Sequence, residues 1–142
     1  MTPLVALLLL HLTCALVSPV LFSLRAWRAI RGLDPAVGLL RWAPHGVDTV
    51  LFAAGATLAW LTRQVPGESP WLTAKLVALL VYILLGHVAV RRARSPGMRV
   101  LAWALAMLTI AYIYAVALTA DPWPARVTDA AGDAVAALQA AA

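Results

Sequence analysis

His11, Asp48, Lys75 and His87 fall inside long apolar stretches of this sequence, and Arg25 and His45 stand at the ends of two of them. At mid-membrane an ionisable side chain costs roughly 2.5–3.5 kcal/mol on insertion scales, so each must face protein, pair, or reach the headgroups. The spacing favours a protein-facing position. His11, Ser18 and Arg25 recur every seven residues, with Cys14 between them, which stacks them on one stripe of a helix. His45, Asp48, Phe52 and Gly55 share a second stripe, on which Gly55 is small enough for a neighbour to approach closely. Lys75, Leu79, Tyr82 and Gly86 form a third. His87 lies about 120° around from Lys75 at 100° per residue and is expected to be an interfacial histidine.

Depth decides which groups meet. At ~1.5 Å per residue, Asp48 lies about 7 Å in from one membrane edge and Lys75 about 6 Å in from the other, leaving ~16 Å between them. Asp48 is therefore expected to pair with Arg25 or His45, and Arg25 is favoured because a guanidinium binds a carboxylate bidentately. Lys75 has three options: to snorkel outward, to meet Glu68 or Asp121, or to point toward His11 and Tyr82. The resulting set, His11, Arg25, His45, Asp48, Lys75 and Tyr82, is either a binding site or a polar clip that fixes helix order.

No catalytic residue is assigned. The sequence has no paired-carboxylate site, no Gly-rich phosphate loop, and no serine or cysteine beside a base, so a non-enzymatic protein is expected. No cofactor is predicted either. Haem b or quinone held by His11, with Tyr82 as a hydrogen-bonding partner for quinone, is the alternative. His11 and His45 differ too much in depth to serve one haem as an axial pair. His11 is a weak metal candidate: His11-x-x-Cys14 places two ligands on one face, but the soft-ligand set for copper is thin. A transporter or proton relay through Asp48, Lys75, His11 and Tyr82 would need an oligomer, because four spans are few for a carrier. Cys14 is the sole cysteine, so no intrachain disulfide exists, and it reads as a packing residue.

The elements that must position these groups are four apolar runs, Pro3–Leu24, Val47–Leu61, Trp71–Val90 and Val100–Leu118, each near the roughly 20 residues that cross ~30 Å of hydrocarbon. The second reaches that length only if its helix starts around Ala43. In a chain of 142 residues that is 63% hydrophobic, little remains for a soluble domain. The expected fold is all-α, a membrane-spanning up-down four-helix bundle occupying residues 1–120, with spans at about 3–24, 43–62, 71–90 and 100–118 and a tail from 121 to 142.

The net charge of +5 would suggest nucleic acid in a soluble protein. Here eight of the eleven basic residues (Arg25, Arg28, Arg31, Arg41, Arg91, Arg92, Arg94 and Arg99) fall in two connections on one side. The positive-inside rule puts those connections in the cytoplasm and both termini on the non-cytoplasmic side. Nucleic acid is not an expected partner; membrane lipid is, and a membrane-protein partner or homo-oligomer stays open. The first run lacks a basic n-region and is followed by the positive cluster, as after a membrane stop, so it is read as an uncleaved helix.

Gly32 and Asp34-Pro35 end a first helix that continues past the lipid boundary through Arg31, and 35–42 is expected to form a short interfacial helix anchored by Arg41 and Trp42. Pro66-Gly67 and Ser69-Pro70 mark a tight turn, which makes the second and third spans an antiparallel hairpin, and Ser95-Pro96-Gly97 does the same for the third and fourth. Asp129 and Asp133 lie in an Ala-rich tail read as a weak surface helix or disorder.

Pro44-His45-Gly46-Val47-Asp48-Thr49-Val50-Leu51 with Gly55, then Trp71-Leu72-Thr73-Ala74-Lys75-Leu76, then Tyr82-Ile83-Leu84-Leu85-Gly86, together resemble the signature of the SirB family of invasion gene expression up-regulators. His11, Ser18 and Phe22-Ser23-Leu24-Arg25 are similar to that family's N-terminal pattern. The resemblance covers about residues 5–120. It implies a small four-span inner-membrane protein that affects gene expression indirectly, since nothing here resembles a DNA-binding domain. It also implies a basic residue ahead of the first-span histidine, where this chain has Leu7–Leu10. In topology the family is distantly similar to small multi-span proteins of the copper-resistance CopD type and the haem-associated HemJ type.

Overall fold

The computed structural model describes residues 2–123, which fold into four α-helices with no strand among the described residues. They are α1 (Pro3–Ile30), α2 (Ala43–Leu61), α3 (Pro70–His87) and α4 (Pro96–Thr119). Asp129 and Asp133 lie outside the described residues.

Each boundary has a local cause. The hydroxyl of Thr2 accepts from the Val5 N–H at 3.4 Å and Pro3 occupies the first helical position, so α1 starts there. It runs on past Arg25 because nothing breaks it before Gly32, which takes φ +72°. Gly32 donates to the Ala29 carbonyl and Leu33 to that of Arg28, the paired bonds of a Schellman end. The end of α2 uses the same device with Arg63 at φ +54°: Arg63 donates to Trp60 and Gln64 to Ala59. A 3-10 turn, Gly38–Arg41, stands in the connection before α2, followed by the exposed Trp42 with Arg41 stacked 5.4 Å from its ring centroid. A π-turn, Val88–Arg92, extends α3, and the Arg99 guanidinium donates to the carbonyls of Ala89 and Val90 at 3.1 and 2.8 Å.

Three helical stretches are long and apolar enough to cross a membrane: Pro3–Ile30, Pro70–Arg92 and Pro96–Thr119. The protein is a membrane protein on that evidence. α2 spans about 28 Å by its 19 residues, but Pro44, His45 and Asp48 in its first turns lower its apolarity.

Burial runs opposite to that of a soluble bundle. The interior is mostly alanine (Ala26, Ala54, Ala78, Ala89, Ala102 and Ala106 among others), while leucines such as Leu8, Leu12 and Leu16 point outward. Lipid chains solvate leucine as well as a protein core does, so helices in a bilayer gain most where small residues let backbones approach.

The packing order corrects one expectation. α1 lies along α2, α3 lies along α4, and α1 joins the two pairs through α4, whereas α2 and α3 do not pack closely. Their connection is a tight turn, with Gly67 at φ +96° and its N–H donating to Thr73 at 2.8 Å. A short loop constrains only the helix ends it joins. The bulky side chains of Lys75 and Tyr82 on α3 offer α2 no small-residue seam.

Candidate functional site in the opening between α2 and α3

α1 supplies the floor of the site. Its His11 lies against α2, where the ring Nδ1 sits 3.1 Å from the Leu51 carbonyl. A carbonyl oxygen only accepts, so this geometry puts the proton of the neutral ring on Nδ1 and leaves Nε2 as its acceptor. Gly55 makes the approach available: a Cβ there would stand 2.9 Å from His11 Cε1.

Two turns further along α1, the buried Ser18 donates to Asp48 Oδ1 at 2.5 Å. Asp48 is nonetheless exposed at the α2–α3 opening, and its other oxygen has no donor among the described residues. Tyr82 faces the same pair from α3, within electrostatic range of Asp48 and hydrogen-bonding reach of Ser18. Its ring packs edge-on to Phe22, with centroids 5.5 Å apart and planes at 76°. Phe22 in turn fills the space beside Gly86, where a Cβ would lie 3.3 Å from Phe22 Cε2. The half-buried Lys75 stands within electrostatic range of His11.

Four of the six sequence-predicted residues, His11, Asp48, Lys75 and Tyr82, are therefore brought together beside α1, and two of the expected pairings change. No ion pair joins Arg25 to Asp48 among the described residues; Arg25 Nε is buried without a hydrogen-bond partner, and Ser18 takes the aspartate instead. The reason is axial. Asp48 lies five residues into α2, level with the Ser18–Pro19 turn of α1, and Arg25 is seven residues, about 10 Å, farther toward the basic end. His45 is exposed in the first turn of α2 and contributes only its backbone carbonyl, which accepts from Thr49 at 2.7 Å. Cys14 is a buried free thiol, and His87 is exposed at the last residue of α3. Among the described residues no three His, Cys, Asp or Glu side chains converge as a metal-binding group.

One contact beside the site has its signal in the sequence. Pro19 lies inside α1 and has no N–H, so the carbonyl four residues earlier, that of Ala15, loses its helical donor. The Tyr114 hydroxyl of α4 donates to it at 2.5 Å, and Tyr114 also lies within electrostatic range of Tyr82. A mid-span proline in a run this apolar calls for such a donor from a neighbouring helix.

What the arrangement offers is two polar points about 10 Å apart along α1: a carboxyl oxygen and a phenol at Ser18, and an imidazole lone pair with an ammonium group in electrostatic range at His11. These can bind a polar group by hydrogen bonds or exchange protons with it.

Residues 4–122 match the family described as "Invasion gene expression up-regulator, SirB". The chain is 37% identical over 123 residues to protein SirB2 of Salmonella typhimurium, covering 82% of this chain and 94% of that protein, and SirB2 of Salmonella typhi aligns to the same extent. It is 34% identical over 129 residues to protein YchQ of Escherichia coli strain K12, covering 86% of this chain and 98% of that protein. No solved structure matches it.

Proposed function

The chain belongs to the SirB family, and from that premise we propose that it is a four-span bacterial inner-membrane protein, accessory or regulatory rather than enzymatic. Its intramembrane polar cluster presents a binding site to a membrane partner. The observation that carries this reading is Asp48: it is fixed by the buried Ser18 yet left exposed where α2 and α3 part. A carboxyl group that served only to clip two helices would be covered on both sides, because an uncovered one in hydrocarbon is costly. The relatives' family is described by an effect on gene expression. A membrane bundle exerts such an effect through another protein, which the open cluster would engage.

α2 completes the fourth crossing in this reading, with Pro44 and His45 at the headgroups of the basic end and Asp48 about 7 Å inside them. That end faces the cytoplasm and both termini lie outside it. A membrane-impermeant thiol reagent applied to intact spheroplasts should label Gln64→Cys and should reach Ser95→Cys only after permeabilisation; the reverse pattern rejects the orientation.

The functional test is expression of this chain in Salmonella lacking SirB2, read with an invasion-gene reporter. Asp48→Asn and Ser18→Ala are expected to lower the reporter at unchanged membrane levels, and His45→Ala to leave it intact. Wild-type reporter output from both cluster variants would refute the site.

A specific observation favours a second reading. With Nδ1 of His11 held by Leu51, Nε2 is the ring atom left for haem iron or a quinone carbonyl. A reduced-minus-oxidised spectrum and a quinone extraction of purified protein decide it. A Soret band or bound quinone lost on His11→Ala supports that reading, and a colourless, quinone-free preparation rejects it.

A further inference from the structure

On the side of α1 away from α2, a groove of about 600 Å³ runs between α1 and α4. Pro19, Ser23 and Trp27 line it from α1, and Val100, Trp103 and Met107 from α4. Its polar atoms are already used: Trp103 Nε1 donates to Ser23 Oγ at 3.1 Å, and Ser23 Oγ lies 3.8 Å from Met107 Sδ. The floor is therefore dry in character and suits a hydrocarbon chain rather than a polar ligand.

The groove spans Pro19 to Ile30, about 16 Å along α1, and its far end lies next to Arg31. At that end the Arg31 guanidinium lies over the Trp27 ring, 4.6 Å from its centroid. Trp27 itself is 54% exposed. Of its neighbours, Arg28 spends its Nε on the Asp34 carbonyl at 2.8 Å and Arg99 is turned to the carbonyls of the π-turn. Among the described residues Arg31 has no such commitment beyond the Trp27 indole. Stacking leaves the edge of a guanidinium, where all its N–H groups lie, directed outward for oxygen acceptors.

We propose that this groove is a binding site for an anionic phospholipid, with one acyl chain along Ser23, Trp103 and Met107 and the headgroup phosphate on Arg31. The charge at the mouth selects the occupant: a zwitterionic lipid satisfies the groove equally well but brings no net charge to the guanidinium. The site shares no side chain with the polar cluster and depends only on α1 and α4, both long and apolar enough to span.

The test is native mass spectrometry of the full chain released from nanodiscs holding equal phosphatidylglycerol and phosphatidylcholine of identical acyl chains. The wild type should retain phosphatidylglycerol preferentially, Arg31→Gln should cut that preference about fivefold, and Arg31→Lys should keep most of it. Val20 lines the groove and is 58% exposed, so Val20→Trp fills it without disturbing the core and should reduce retention of both lipids. Unchanged preference in Arg31→Gln, or unchanged retention of both lipids in Val20→Trp, overturns the proposal.

Discussion

The α1–α2 pair and the α3–α4 pair are built by different means. α2 touches α1 through directional contacts: His11 on the Leu51 carbonyl, Ser18 on Asp48, and the bare backbone of Gly55 beneath an imidazole. Apart from Pro44 in its first turn, its one buried residue is Ala54. α4, by contrast, buries Ala102, Ala106, Ile113 and Val116 on one stripe and lies along α3 with no side-chain hydrogen bond to Pro70–His87 among the described residues, its Arg99 bonding only to the π-turn beyond them. Small-residue seams gain dispersion contacts over their whole length, whereas an interhelical hydrogen bond in a membrane contributes about 0.6 kcal/mol on average, because the separated helices find other partners. The α3–α4 seam should therefore hold the bundle, and the α1–α2 seam should set register and expose chemistry. Substitutions in the two seams ought to separate stability from activity.

The largest loss is expected in the apolar seam. Ala106 is fully buried, and Ala106→Leu inserts three carbons where backbones meet, which should cost about 1–3 kcal/mol or more. Unfolding in mixed micelles, followed by circular dichroism, checks it. A variant as stable as the wild type would mean the seam has slack the structure does not show. Gly55→Ala comes next. The new methyl would meet His11 Cε1 at 2.9 Å, so the imidazole must move and lose its Leu51 contact. The expected cost is about 1–2 kcal/mol. If His11→Ala removes the clash, the double variant should recover part of the loss, and an additive result would separate the two residues.

Tyr114→Phe tests the join between the two pairs. It removes the hydroxyl donor from the carbonyl that Pro19 orphans, so about 1–2 kcal/mol is expected, near the upper end for interhelical bonds. Pro19→Ala supplies a helical N–H to the same carbonyl. In that background Tyr114→Phe should be nearly silent, and an undiminished effect would show that the tyrosine acts by packing.

These contacts also mark how far the sequence could be read. Helix positions were legible because twenty-residue apolar runs, first-turn prolines and glycine ends are local signals: α2 begins at Ala43, and α1 runs through Arg25 to Ile30. The stripe of His11 and Ser18 was legible from its seven-residue period. Its pairing was not. Arg25 and Ser18 lie on the same stripe, and only the relative height of α1 and α2 decides which one meets Asp48. Charge argued for Arg25, and axial stagger chose Ser18. The separation of α2 from α3 was hidden for a related reason, since loop length bounds the distance between helix ends but not the packing of their sides. The Ala15–Tyr114 contact joins residues 99 apart in sequence, yet Pro19 announced half of it.

The smallest expected effect is the sharpest test of the contrast. Ser18→Ala and Asp48→Asn should each change stability by only about 0.6–1.7 kcal/mol, within the range of single interhelical hydrogen bonds. Ser18→Ala leaves a carboxyl group without its donor, and Asp48→Asn leaves a hydroxyl that an amide oxygen still accepts, so the first change should cost more. Because the two touch at 2.5 Å, the double variant should lose less than the sum. Reporter output should nevertheless fall in both single variants, because the exposed half of Asp48 is what a partner would meet. Additive stabilities would show that the hydrogen bond does not form in the membrane. A non-additive cycle with full reporter output would make the polar seam a register device alone.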